Sequence, residues 1–127
     1  MKKLISSGAK WETIVGYSRA VRVGNVIEVS GTVASDGNNV VGENDVYLQT
    51  KFILKKIEIA LKEAEASLDD VVRTRIYVKD ILQWSDVAKA HCEVFGNIKP
   101  ATSMVEVSSL ISPEYLVEIE ATAILDS

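Results

Sequence analysis

The 127 residues carry a formal net charge of −4, with 47% apolar and 25% charged side chains. A chain of this length and balance folds as one domain, spanning 1–127, that hides roughly two thirds of the surface it exposes when unfolded. The acidic balance speaks against nucleic acid as a partner, the lone Cys92 excludes an internal disulfide and a thiolate metal centre, and no run of about 18 apolar residues is present to cross a membrane.

Taken in order, Lys2 to Ser7 is a weakly signalled edge strand. Gly16 to Val23 and Val26 to Gly31 are β-rich runs joined by Gly24-Asn25, the pattern of a hairpin. Residues 35–45, rich in Asp, Gly and Asn, form a loop, and Asn44 or Asp45 caps the first helix by accepting a free first-turn N–H. Ile53, Ile57, Ala60, Leu61 and Ala64 recur at helical spacing, and the helix is expected to end near Ser67.

Val71 to Lys79 alternates as a strand, with Val72, Thr74, Ile76 and Val78 on one face and Arg73, Arg75, Tyr77 and Lys79 on the other. A second helix runs from about Gln83 to Phe95 with an apolar stripe of Trp84, Val87, Ala88, His91, Val94 and Phe95, and Gly96 is placed to end it. Two closing strands flank the Ser112-Pro113-Glu114 turn. In the first, Ala101, Ser103, Val105 and Val107 read as the core face, opposite Thr102, Met104 and Glu106. In the second, Val117, Ile119, Ala121 and Ala123 lie opposite Glu118, Glu120 and Thr122.

The result is an α+β order, ββαβαββ, with a mostly antiparallel sheet of about six strands and two helices that cover one face. The other face then presents Glu28, Arg73, Arg75, Glu106, Glu118 and Glu120. Two readings are open: a solvated face laced with cross-strand ion pairs, or a face that meets other subunits.

Gly16-Tyr17-Ser18-Arg19-Ala20-Val21, Val29-Ser30-Gly31, Asp69 to Thr74, Tyr77-Val78-Lys79-Asp80, Pro100-Ala101 and Val117-Glu118-Ile119-Glu120-Ala121 resemble the RidA family, also called YjgF/YER057c/UK114 and, in older usage, L-PSP ribonuclease. The match runs in register from about Tyr17 to Ala123. The resemblance implies a chorismate-mutase-like fold and a homotrimer whose sheets form a central barrel with clefts between subunits. It also implies cofactor-free hydrolysis of reactive enamines and imines, of the 2-iminobutanoate/2-iminopropanoate type, releasing ammonia. A cytoplasmic trimer that takes an amino-acid-derived imine or keto acid, with no nucleic-acid or membrane partner and no metal, is the corresponding expectation.

By the same resemblance, Glu118 is the catalytic carboxylate that positions water, and Tyr17, Ser30 and Gly31 line the cleft. The family places an Arg directly after Pro-Ala to grip the substrate carboxylate; here that position is Thr102, which offers one neutral hydrogen bond in place of a charged fork. Met104 stands where the family often has Cys, Ala88 where it has Asn, and His91 where it has Tyr. Trp84, Ala88 and His91 recur at i, i+4 and i+7 and share a helix face, so Trp84, His91, Thr102 and Met104 join the substrate-binding candidates. Arg19, two residues from Tyr17 on the same strand face, is a second source of positive charge. The rival reading is a non-catalytic small-molecule-binding trimer, a metabolite sensor or chaperone-like protein, because the Arg is gone. An RNA-cleaving enzyme fits poorly with the acidic balance and the single histidine.

Overall fold

In the computed structural model, which describes residues 1–126, the chain runs β1 (Lys2–Ile5), α1 (Lys10–Val15), β2 (Ala20–Val23), β3 (Val26–Thr32), β4 (Ser35–Asp36), β5 (Asn39–Val40), α2 (Val46–Glu63), β6 (Val71–Val78), α3 (Trp84–Phe95), β7 (Ala101–Glu106) and β8 (Val117–Ile124). Six strands form one sheet in the order β1-β2-β3-β8-β6-β7, and β4 and β5 make a separate small hairpin within the 35–45 loop. Every neighbouring pair in the large sheet is antiparallel except β6 and β7, which run parallel because α3 carries the chain back across.

Strand β8 sits at the centre, and its alternation decides the layering. Val117, Ile119, Ala121 and Ala123 are buried with Ile27, Val29, Ile76 and Val78 beneath Ile53, Leu54, Ile57 and Leu61 of α2 and Val87 and Phe95 of α3. The opposite face carries Glu28, Arg73, Arg75, Glu118 and Glu120, none of them fully buried. No ion pair within the chain joins these charges: the salt bridges among the described residues are Lys3–Glu65, Lys51–Glu93, Lys55–Glu58 and Lys62–Glu58. Neutral partners serve instead: Tyr77 Oη donates to Glu120 (2.9 Å), Thr122 Oγ1 donates to Glu28 (2.6 Å), and Arg73 donates to Ser103 Oγ (2.8 Å).

Asp45 is the cap of α2, accepting the Leu48 N–H at 3.0 Å, while Asn44 takes a left-handed φ of 59° ahead of it. The helix stops at Glu63, before Ser67, because Glu65 turns left-handed (φ 65°) and the Ala66 N–H reaches back to Leu61 O at 2.8 Å. Gly96 does not end α3 by a left-handed turn; it stays right-handed, and Lys99 takes the positive φ of 57°.

Four further expectations are corrected. A helix, α1, precedes the first hairpin, so the described residues hold three α-helices and not two. Val72 is 43% exposed and Val71 is buried, because the pairing with β8 shifts between Val71 and Arg73. In β7 the faces are reversed: Thr102 pairs with Thr74 and Met104 with Ile76, so they share the helix-covered side, whereas Ala101, Ser103 and Val105 share the open side. Glu106 accordingly leaves the open face and accepts the Ile81 N–H at 3.0 Å. Lastly, Trp84 begins α3 but stands 57% exposed, outside its buried stripe of Val87, Ala90 and Phe95.

Candidate functional site

The candidate residues fall into two groups. The first gathers on the open face around Glu118. β3 departs from regular pairing with β8 between Val29 and Thr32, and this irregularity carries Ser30 and Gly31 past Glu118. The Glu118 carboxylate occupies the space that a side chain at residue 31 would fill: a Cβ there would lie 2.0 Å from Oε2. Ser30 Oγ donates to Ser18 O at 2.7 Å, and the Ser30 N–H to Arg19 O at 2.9 Å, which ties the segment bearing Tyr17 to β3.

Arg19 is 6% exposed, donates from Nη2 to Gly31 O at 2.6 Å, and lies with its guanidinium 5.6 Å from the Tyr17 ring centre. Burial pushes the Glu118 carboxyl above its ordinary value, the neighbouring Glu120 charge adds to the rise, and Arg19 opposes it. A carboxylate raised in this way takes up a proton more readily than one in free solution. Ser30, Gly31 and Glu118 are thus brought together, and Tyr17 is linked to them through Arg19, which lies against its ring and donates to Gly31 O.

The second group lines a groove of about 430 Å³ between α3 and β7, on the helix-covered side, walled by Ile76, Ala88, Phe95 and Met104, with His91, Lys99 and Thr102 as its main polar side chains. His91 packs on Phe95, ring centres 4.7 Å apart, and burial holds its imidazole below the ordinary value by disfavouring the charged ring. Its Nε2 lies 3.0 Å from Thr74 Oγ1, which lies 2.7 Å from Thr102 Oγ1. Thr74 was not among the candidates. The signal for it was a hydroxyl on the apolar side of a strand, which requires a partner when buried. Trp84 does not line this groove.

The two groups do not meet within one chain. Glu118 is paired in register with Tyr77, on the open side, and Thr102 with Thr74, on the covered side, so the sheet stands between them. Among the described residues no helix is long and apolar enough to cross a membrane, and no cluster of His, Cys, Asp and Glu is arranged to hold a metal ion.

Residues 7–125 match the family described as endoribonuclease L-PSP. A RutC family protein of Pyrococcus abyssi is 37% identical over 96% of this chain and 96% of its own length. A 3-aminoacrylate deaminase, RutC, of Acinetobacter baylyi is 33% identical, covering 84% of this chain and 85% of that protein. The crystal structure of a Mycobacterium tuberculosis member of the YjgF/YER057c/UK114 family superposes with a TM-score of 0.91 at 50% identity, over 98% of this chain and 100% of the other.

Proposed function

Because the chain belongs to the RidA family, the group also known as YjgF/YER057c/UK114 or endoribonuclease L-PSP, we propose that it is a homotrimeric enamine/imine deaminase with clefts shared between subunits. One observation carries the reading: a half-buried Glu118 carboxylate, raised by its surroundings, is set over the bare backbone of Gly31. A shared cleft is the arrangement that lets it serve the groove of Thr102, which lies across the sheet in the same chain. The charges on the open face, none in an ion pair among the described residues, support its burial against other copies, since carboxylates and guanidiniums held only by neutral groups in one chain can gain charged partners from a second.

In the proposed reaction the substrate is an imine, or an enamine that tautomerises to one. Glu118 takes a proton from water as the water oxygen bonds to the C=N carbon. Because the C=N nitrogen is protonated beforehand, the addition gives a neutral carbinolamine. Glu118 returns its proton to that nitrogen, and the carbinolamine O–H proton passes back to Glu118 as the C–N bond breaks. Ammonia and a carbonyl compound leave, and Glu118 releases the proton to solvent. The raised carboxyl suits Glu118 to these transfers near neutral pH. Tyr17 and the Ser30-Gly31 backbone flank it, and Thr102 receives the far end of the substrate. The Acinetobacter relative bears the name of a deaminase whose substrate, 3-aminoacrylate, is itself an enamine, which supports the same reaction class here.

The test is direct: 2-imino acids are generated in situ and their loss is followed with and without the protein. Acceleration that disappears in Glu118→Gln supports the reading, and loss at the buffer rate for every imine tried overturns it. A second reading, a binding trimer without chemistry, is favoured by Thr102 at the family's Arg position, because a neutral hydroxyl holds a carboxylate less firmly than a guanidinium fork. Saturable binding of 2-oxo acids with no hydrolysis would select it.

A further inference from the structure

Thr74 is fully buried on the helix-covered side of β6, and its hydroxyl touches two partners, His91 Nε2 at 3.0 Å and Thr102 Oγ1 at 2.7 Å. A threonine hydroxyl has one proton and two lone pairs, and His91 and Thr102 are its recorded partners, so satisfying the buried proton means donating to one of them and accepting from the other. If Thr74 donates to a bare His91 Nε2, then Thr102 donates to Thr74 and turns only lone pairs toward the groove. If His91 carries its proton on Nε2, the chain reverses: Nε2–H donates to Thr74, Thr74 to Thr102, and the Thr102 proton points outward. An imidazolium permits only the second arrangement.

We propose that His91, acting through the Thr74 hydroxyl, sets whether Thr102 offers the groove a proton or a lone pair, and that the relay serves to present a proton to an acceptor oxygen of the ligand. The proposal rests on the reading of this groove as a ligand half-site. Two features favour the outward proton. The Thr102 hydroxyl's other acceptor, Pro100 O, is 3.4 Å away, well beyond the roughly 2.7–2.8 Å of a good O–H···O bond, so a ligand oxygen takes the proton with little loss. The other titratable side chains lining the groove are Cys92 and Lys99, and no carboxylate lines it to compete for donors. From β6 the imidazole meets Thr74, and Thr102 and Met104 of β7 line the same groove; on α2, Tyr47 and Lys51 are engaged with Glu93 and lie outside it. Thr74 and His91 are therefore positioning residues, and Thr102 is the contact.

Linkage makes this testable. A ligand that accepts from Thr102 selects the Nε2–H form of His91 and raises its proton affinity, and a ligand that donates to Thr102 lowers it. His91 is the only histidine, so its titration is read without assignment. The experiment follows the imidazole C–H and ring nitrogen resonances of the full chain against pH, with and without saturating 2-oxobutanoate, in the wild type, Thr74→Val and Thr74→Ser. In the wild type and Thr74→Ser, 2-oxobutanoate should move the titration to higher pH and bind about threefold or more tightly at the acid end. In Thr74→Val that coupling should be lost, leaving only the attraction of an anion for an imidazolium.

The ligand-free Nε2 resonance of Thr74→Val should also lose its hydrogen-bonded signature, a readout that needs no ligand. An unmoved titration with ligand bound, an equal movement in Thr74→Val, or no binding of the oxo acid at all overturns the relay. Imine hydrolysis in the same samples separates the two readings. Hydrolysis without coupling leaves the reaction standing and removes the relay, and coupling without hydrolysis does the reverse.

Discussion

Glu118 and Gly31 fit together by absence: the carboxylate lies where a side chain at residue 31 would be, with a Cβ placed there 2.0 Å from Oε2. Gly31 is not needed for a left-handed backbone, since its φ is not positive, so the close approach is its reason. Gly31→Ala should leave the fold intact, because the displaced atom is the free end of a flexible side chain, and should swing the carboxylate away. A displacement of about 1 Å at a reacting group costs about 10²-fold in rate. A loss of that order in kcat, with an unchanged melting temperature, is the expected result; full activity in Gly31→Ala would show that the position of the carboxylate does not matter.

The raised Glu118 carboxyl has a thermodynamic consequence. Its folded value lies above the unfolded one, so the folded state holds the proton more tightly. The associated stability is complete below the unfolded value and is lost as pH rises through the folded one. Glu118→Gln removes the ionisation, so it should melt higher than the wild type at about pH 7.5, with the gap closing toward about pH 4. Thermal melts across that range, on the same variant used in the hydrolysis assay, check it. A glutamine variant less stable than the wild type at neutral pH would mean that the carboxylate is held by partners that favour its charge.

Gln49 ties two loops to α2. Fully buried, it donates from Nε2 to Gly42 O (3.1 Å) and Glu114 O (3.0 Å), and its Oε1 accepts the Leu116 N–H at 2.9 Å. Gln49→Leu strands three backbone groups, at about 1–3 kcal/mol each where the group stays dry. Urea unfolding should show a loss of about 3 kcal/mol or more; a loss under about 1 kcal/mol would show that water reaches those groups.

Thr102→Arg places a guanidinium at the rim of the groove. A charge-assisted bond contributes about 1.5–3 kcal/mol, enough for a tenfold or larger rise in the hydrolysis of carboxylate-bearing imines. No rise, in a variant that still folds and assembles, would mean that the groove receives the substrate's other end.

The central strand was open to reading from its residues alone: Val117, Ile119, Ala121 and Ala123 alternate with Glu118, Glu120 and Thr122, and the buried face follows. Strand β7 misled because it is an edge strand paired on one side only, and both its faces are largely exposed. Ala, Ser and Val on one side against Thr and Met on the other then gave a preference that burial does not enforce. Only Met104, half-buried against the core, marks the true inner side.

Helix α1 escaped because Thr13, Ile14 and Val15 favour strands locally, whereas its anchor is Glu12, buried and accepting from Ser6 Oγ (2.9 Å) and from the Ser7 backbone and hydroxyl. Only the folded chain brings those groups together. Of the candidate site, Tyr17, Ser30, Gly31 and Glu118 form one cluster, and Thr102, Met104 and His91 another. That the sheet separates them follows from strand register, which no single strand carries in its own sequence.

The separation leads to a mixing experiment. Glu118→Gln disables one half of a cleft and Thr102→Trp blocks the other, so each alone should be inactive in imine hydrolysis. Unfolded together in equal amounts and reassembled, the two variants should regain about a quarter of wild-type activity, the fraction of subunit boundaries at which an intact Glu118 faces an intact groove. A mixture no more active than its two parents, in assemblies three times the 13.9 kDa chain mass, would contradict a site shared between copies.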